Sequence, residues 1–250
     1  MTLSEIAIHV PGAIELFEKY DFNYYQYGKK TFKEACAEKG LDYTELDNEL
    51  NQQQKLSKNE SKLTLEDMSI DRLIDFINGQ HHSNEDEVLE SLDNSIKNLI
   101  SNSDVDRSLI MTLEKVDEKF NDFKIKLTEH CRKEDKLLFP YMRKLYESRL
   151  DKDVPAKKTF ISNPIHLLET EHIQAATILS EIKDITQGFS GQVNAPKEYL
   201  NLMERFREFE KEFHVHLHIE NNILFPKVIE LEKQLKGNNQ NSYEASDRKI

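Results

Sequence analysis

Apolar residues recur at alternating steps of three and four through most of the second half of the chain. One run reads Leu113, Val116, Phe120, Phe123, Leu127, His130, Glu134 and Leu137. A second reads Ile165, Leu168, His172, Ala175, Leu179 and Ile182, and a third Leu202, Phe206, Phe209, Phe213, His216, Glu220 and Ile223. Such steps keep side chains on one stripe of an α-helix, the stripe that faces a core. A less tidy stripe upstream carries Leu89, Leu92, Ile96 and Leu99. Stepping back two helical turns from Leu89 reaches His82, and from Val88 reaches His81; periodicity alone does not choose between them. Ser101–Ser108, Leu150–Asn163 and Gly188–Pro196 read as loops short enough to join antiparallel neighbours. Four helices packed up-down-up-down are the expected architecture, and the fold class is all-α.

The first fifty residues follow a different pattern, compact and rich in caps. Thr2-Leu3-Ser4-Glu5 reads as a capping box opening a short helix that Pro11-Gly12 ends. Ala13 to Tyr20 reads as a further helical turn or two, and Asp21 to Gly28 as a turn crowded with Tyr24, Tyr25 and Tyr27. Helix resumes over Lys29 to Lys39 with Gly40 as its C-cap, and Asp42 caps one more helix to about Leu50. The expected organisation is a small helical N-terminal domain over 1–51, a polar linker over 52–63, the bundle over 64–236, and a polar tail without fixed structure over 237–250.

Composition supports this and removes several alternatives. Seven glycines and six prolines are too few for an all-β sandwich or barrel, which needs turn residues every 8–12 positions. Apolar residues at 38% and charged residues at 32% fit long amphipathic helices with one wet face. A net charge of -12 offers no basic face for nucleic-acid phosphates or an anionic membrane surface. No apolar run approaches the roughly 18 residues of a membrane span. Glu5, Glu15, Glu18 and Lys19 break up the start of the chain, so no secretory pattern is read there. Only Cys36 and Cys131 occur, with no CxxC motif, and a reducing cytoplasm is the expected compartment.

The chemistry lies in an internal repeat. HCRKEDKLLFP and HLHIENNILFP both fit His-x3-Glu-x2-Leu/Ile-Leu-Phe-Pro. Residues i and i+4 share a helix face, so each imidazole and carboxylate can converge on one point. These pairs sit on the apolar stripe, where an uncompensated carboxylate costs several kcal/mol or more. Two such carboxylates with imidazoles from four helices call for a pair of divalent or trivalent cations. Imidazole and carboxylate without thiolate suit iron, manganese or zinc. Two carboxylates for two metals point to Glu134 and Glu220 as bridges, with histidines as terminal ligands. One histidine on an apolar stripe is more often a hydrogen-bonded core residue; two copies of the same motif, both in phase with the core, are harder to dismiss. His9 belongs to the N-terminal unit, His214 and His218 point away from the face of His216, and His81 and His166 flank the site or lie at the surface. Tyr141 and Tyr146 pack or cap, and Cys131 points about 100° away from His130 on the helix.

On these motifs the chain resembles the iron-sulfur cluster repair di-iron proteins, a branch of the hemerythrin-like bundles. EKYDFNYYQYGKKTFKEACAEKGLD resembles that family's small helical domain, and LIDFINGQHH, EHCRKEDKLLFP, LETEHIQAATIL and HIENNILFP match its bundle in the expected order. The resemblance covers the chain from about Leu3 to Leu231 and implies metal ligands at His82, His130, Glu134, His172, His216 and Glu220, which resolves the earlier choice in favour of His82. It implies a non-haem di-iron centre with two Fe ions, repair of iron-sulfur clusters damaged by oxidative or nitrosative stress, and nitric oxide reduction, iron redox or iron donation at the centre. NO, O2 and iron-sulfur proteins are the implied partners, and a homodimer stays open. Two departures stand out. Tyr25 and Gln26 occupy the positions of the family's adjacent cysteines, and only Gly28 of the following glycines remains; neither residue is a soft thiolate donor. Unlike the oxygen-carrying hemerythrins, the chain has Ala176 one turn after His172 and His-x3-Glu in its last helix. Two rival readings are a sensor or store for oxygen or nitric oxide without turnover, and a structural bundle that binds zinc adventitiously.

Overall fold

The structure, a computed structural model, describes residues 1–56, 65–149, 160–191 and 195–247. Among the described residues there is no strand, only an isolated bridge between Thr2 and Thr31. The N-terminal unit holds α1 (Leu3–His9), α2 (Ala13–Lys19), α3 (Phe32–Glu38) and α4 (Tyr43–Leu56). Thr2 and Glu5 form the expected capping box, and Thr31 and Glu34 form a second. That second box starts α3 at Phe32 rather than at Lys29, because the Thr31 side chain takes the Glu34 N–H and fixes the helix start. Gly12 and Gly40 both take positive φ, +80° and +66°, where a Cβ would be strained. Phe17, Phe22, Tyr24 and Phe32 pack ring against ring as the core of the unit.

α4 continues to Leu56, past the start expected for the linker at residue 52. Gln52, Gln53, Gln54 and Lys55 are good helix formers, and nothing among them breaks a helix. The remainder of the expected linker, 57–63, lies outside the described residues, as does most of the Leu150–Asn163 connection.

The bundle is built from α5 (Ile70–Ile77), α6 (Ser83–Ile100), α7 (Arg107–Lys133), α8 (Phe139–Ser148), α9 (Ser162–Ile185), α10 (Lys197–Ile219) and α11 (Phe225–Asp247). α5 and α6 form one rod, α7 and α8 a second, and α10 and α11 a third; with α9 they make the four expected helices. α7 packs against α6 and α9, and α6 against α10. The 237–250 segment does not begin as a tail, since α11 runs to Asp247. Gly237 is a single glycine, which costs only about 1 kcal/mol in a helix, and no proline follows it.

Among the described residues the core has two apolar clusters. One joins the N-terminal unit to Leu89, Leu92, Phe120, Phe123, Leu179 and Phe206. The other gathers Ile74, Ile77, Leu138, Ile165, Leu224 and Val228. Along every rod the boundary between the clusters falls where the sequence changes from apolar to His and Glu. A polar layer is thereby sealed between two greasy ones.

Candidate metal centre

Three wide helical turns of π type mark this layer: Asn78–His82, Glu134–Leu138 and Glu220–Leu224. In each, the closing N–H reaches back five residues, from Ser83 to Asn78, Phe139 to Glu134 and Phe225 to Glu220. Two are explained by the repeat. Pro140 and Pro226 have no N–H to donate, and a proline ring clashes with the carbonyl four residues before it. Widening the preceding turn relieves the clash, and such turns recur at functional sites. Each adds a residue to the helical register. Leu137, expected on the inward stripe, is 69% exposed and Leu138 is buried in its place, whereas Ile223, its counterpart in the other repeat, is buried together with Leu224. The other stripe positions are buried, except Phe209, which is half-buried.

The six candidate residues converge. His82, Glu134, His216 and Glu220 form one group and His130, Glu134, His172 and Glu220 a second, with the potential ligand atoms of each group within 4.8 Å of one another. Both groups use both glutamates. His130 Nε2 lies 3.3 Å and His82 Nε2 3.5 Å from Glu134 Oε2. His172 Nε2 lies 3.1 Å from Glu220 Oε2, and His216 Nε2 lies 3.2 Å from Glu220 Oε1. Glu134 and Glu220 are fully buried, and none of their four carboxylate oxygens has a hydrogen-bond partner. Unpartnered buried carboxylates are among the costliest groups a core can hold, so this arrangement asks for a cation.

Neighbouring residues fix how the rings face. The far nitrogen, Nδ1, of His82 lies 2.8 Å from Asp135 Oδ1, that of His130 3.0 Å from Glu171 Oε2, and that of His172 2.8 Å from Asn221 Oδ1. These oxygens only accept, so the nitrogens facing them donate and each Nε2 turns its lone pair inward. His130 and His172 then point lone pairs at each other across 2.8 Å, a repulsive contact unless positive charge sits between them. The field of the glutamates draws such charge in. Burial alone would push His130 and His216 down, yet Glu134 holds His130 up at about 10 and Glu220 holds His216 up at about 9. Glu220, also penalised by burial, is held well below the usual carboxylate range by His216 and His172.

Asp135, Glu171 and Asn221 were not singled out from sequence. Each directly neighbours a candidate ligand in the chain, which is the signal that would have found them. Cys131 stays out of both groups and donates to Glu85 Oε2 at 2.8 Å. His166 is exposed and pairs with Glu169. His81 stacks on His216 with ring centroids 4.9 Å apart. It lines a cavity of about 390 Å3 between α6 and α10 that reaches His216 and is bounded also by Glu85, Val88 and Phe213. His214 and His218 point away from the cluster, as expected, and they do so to hold the N-terminal unit. Tyr25 stacks on His214 at 4.0 Å, Tyr24 meets His218 edge-on at 5.3 Å, and Glu18 accepts from both Tyr24 Oη and His214 Nδ1. Tyr24 and Tyr25 are buried there, whereas Tyr27 is exposed.

A fold of this kind, with paired His and Glu across four helices, defines a cation-binding helical bundle. Residues 72–228 match the Hemerythrin HHE cation binding domain, more than half of the chain, and the chain belongs to that family. Residues 1–54 match a domain of unknown function, DUF542. The chain is 27% identical over 232 residues to the probable iron-sulfur cluster repair protein of Haemophilus influenzae, spanning 91% of this chain and 96% of the relative. It is 27% identical over 231 residues to the iron-sulfur cluster repair protein YtfE of Escherichia coli, and 26% identical over 229 residues to that of an Enterobacter species, with the same coverage. The family resemblance read from the motifs holds across both domains. No helix among the described residues is long and apolar enough to cross a membrane.

Proposed function

We propose that this chain is an iron-sulfur cluster repair protein with a non-haem di-iron centre. His82 and His216 would hold one iron and His130 and His172 the other, with Glu134 and Glu220 bridging the two. The observation that carries this reading is the sharing of both glutamates by both groups, their oxygens buried and unpartnered. Imidazole and carboxylate donors without thiolate suit iron, and the names of the relatives supply the repair activity. When bound, the irons would supply one-electron chemistry and coordination positions for NO or O2.

The chain's own residues do the rest. Asp135, Glu171 and Asn221 orient the imidazoles, the two apolar clusters exclude water, and the cavity beside His81 and His216 admits a small molecule. Clusters damaged by nitric oxide or peroxide are the proposed object of repair, in a reducing cytoplasm. Recovery of a damaged [4Fe–4S] hydratase on addition of the iron-loaded protein tests this. Recovery well above the rate with free ferrous iron is expected, and a rate equal to it refutes repair.

A sensor or store for NO or O2 is the second reading, favoured by Tyr25 and Gln26 in place of a cysteine pair. Tight NO binding by the diferrous protein without nitrous oxide formation, together with no cluster recovery, selects it.

A further inference from the structure

We propose that Asn221 is a positioning residue that ties the docking of the N-terminal turn to the inward-facing nitrogen of His172. The proposal rests on the di-metal reading above and adds a link between that centre and the N-terminal unit.

The two ends of one amide carry the argument. The main-chain carbonyl of Tyr25 can only accept, and Asn221 Nδ2 donates to it at 3.1 Å. That leaves Asn221 Oδ1 for His172, 2.8 Å from Nδ1. Oδ1 in turn can only accept, so Nδ1 carries the proton and Nε2 keeps its lone pair toward Glu220 and His130. A backbone carbonyl in the N-terminal unit thus sets the tautomer of a candidate ligand through a single side chain.

The corresponding partners elsewhere come from inside the bundle. Asp135 orients His82 and Glu171 orients His130, and both are carboxylates on bundle helices. His172 has a neutral amide, and that amide is aligned from outside the bundle. Asn221 also lines a cleft of about 1100 Å3 between the turn and the bundle, together with Gln26, Gly28 and Phe225.

The neighbouring residue provides an internal control. Asn222 Nδ2 donates to the Tyr24 carbonyl at 3.1 Å and approaches His218 Nδ1 at 2.9 Å. Asn222 docks the same turn but belongs to neither candidate ligand group and contacts none of their histidines. If Asn221 served only to hold the two units together, substitutions at 221 and 222 would act alike. If it positions His172, they separate. Partners of metal-bound histidines are worth about 10–100-fold in metal affinity when removed. By linkage, metal on His172 and docking of the turn must then favour each other.

The experiment uses the full chain, stripped of metal and titrated with cobalt(II), followed by its visible spectrum. Hydrogen exchange of the amides from Tyr24 to Lys30 is read with and without cobalt. Wild type is expected to bind two cobalt ions and to slow exchange in the turn as it does. Asn221→Ala should weaken one of the two binding steps by about 10–100-fold and abolish the metal-dependent slowing. Asn222→Ala should speed exchange in the turn while leaving both binding steps within about twofold of wild type. Asn221→Asp keeps an acceptor for His172 but has no donor for Tyr25. It should hold wild-type affinity or better and still lose the metal-dependent slowing, which keeps the test decisive if Asn221→Ala folds poorly. Equal losses of affinity at 221 and 222, or wild-type exchange indifferent to cobalt, overturn the link. Wild type that takes up no cobalt overturns the reading of the centre itself.

Discussion

Replacing Leu138 by alanine, and separately Leu137, probes which of the two faces the core after Glu134. The three-four alternation through His130 and Glu134, carried one step further, puts Leu137 inside and its neighbour outside. The structure has the opposite: Leu138 is 5% exposed and Leu137 is 69% exposed. Leu138 belongs to the apolar cluster of Phe139, Met142, Ile165 and Phe225, large side chains that cannot collapse far into a gap. Removing its branched end should cost about 3 kcal/mol, within the 2–5 kcal/mol seen for Leu→Ala in cores. Leu137→Ala removes a side chain already in water and should stay within about 0.5 kcal/mol. Urea unfolding followed by circular dichroism at one fixed free-metal concentration measures both, since a cation that binds only the folded state raises the midpoint. A larger loss at Leu137 than at Leu138 would refute the burial of Leu138 and the exposure of Leu137.

Other outcomes follow from the same geometry. Chelating the metal should lower the melting temperature by on the order of 5–10 °C, because the buried carboxylates lose their compensating charge; equal melting with and without metal would count against a buried site. Gly28→Ala would place a Cβ 2.2 Å from Asn222 Oδ1 and 2.9 Å from Ser4 Cβ. It should loosen the docked turn by about 1–3 kcal/mol, read as faster proteolysis between Tyr24 and Lys30, and unchanged cleavage would refute the close fit. Asp93 is nearly buried between Lys97 and Lys124. Burial alone would raise its carboxyl, but the two lysines hold it below the ordinary range. A lowered folded value means stability that is present at neutral pH and is lost as pH falls through it. Asp93→Asn should therefore be less stable than wild type by on the order of 1 kcal/mol at pH 7 and converge with it in acid, below the ordinary carboxylate range; a difference independent of pH would refute this.

Much of the bundle was legible because burial follows the helical period. Leu113 through Leu127, Ile165 through Ile182, and Leu89 through Leu99 all keep their inward stripes. The period fails at Leu137, which lies in the wide turn after Glu134, although its counterpart Ile223 in the other repeat keeps the inward position. Pro140 was visible in the sequence, but a proline announces a disturbed turn without saying on which side the helix yields. His81 and His82 could not be separated by spacing, because the turn that carries them is itself widened. The stripe through Leu89, 1% exposed, leads to His82, whereas Val88 is 39% exposed and faces the cavity with His81.

Five of the six convergent side chains were legible for a different reason, and His82 through the family resemblance. A carboxylate on an apolar stripe is a contradiction that needs an explanation, and two identical contradictions need the same one. The partners that orient the rings were not legible, since Asp135, Glu171 and Asn221 look like ordinary wet-face residues until the third dimension is known. His214 and His218 were read only by what they avoid. From Phe213 to Ile219 the helix buries nearly every residue, with Val215 half-buried, and a helix buried all round must have a neighbour on each side. That neighbour is the tyrosine-bearing turn of the N-terminal unit.

The most direct test is elemental analysis of the full chain, purified anaerobically after expression in iron-replete medium, beside a Glu134→Gln, Glu220→Gln double variant. Two irons per chain in wild type, falling to a small fraction of that in a variant of unchanged helix content, is the expected result. Iron retained undiminished by the double variant would contradict a centre built on those two shared carboxylates.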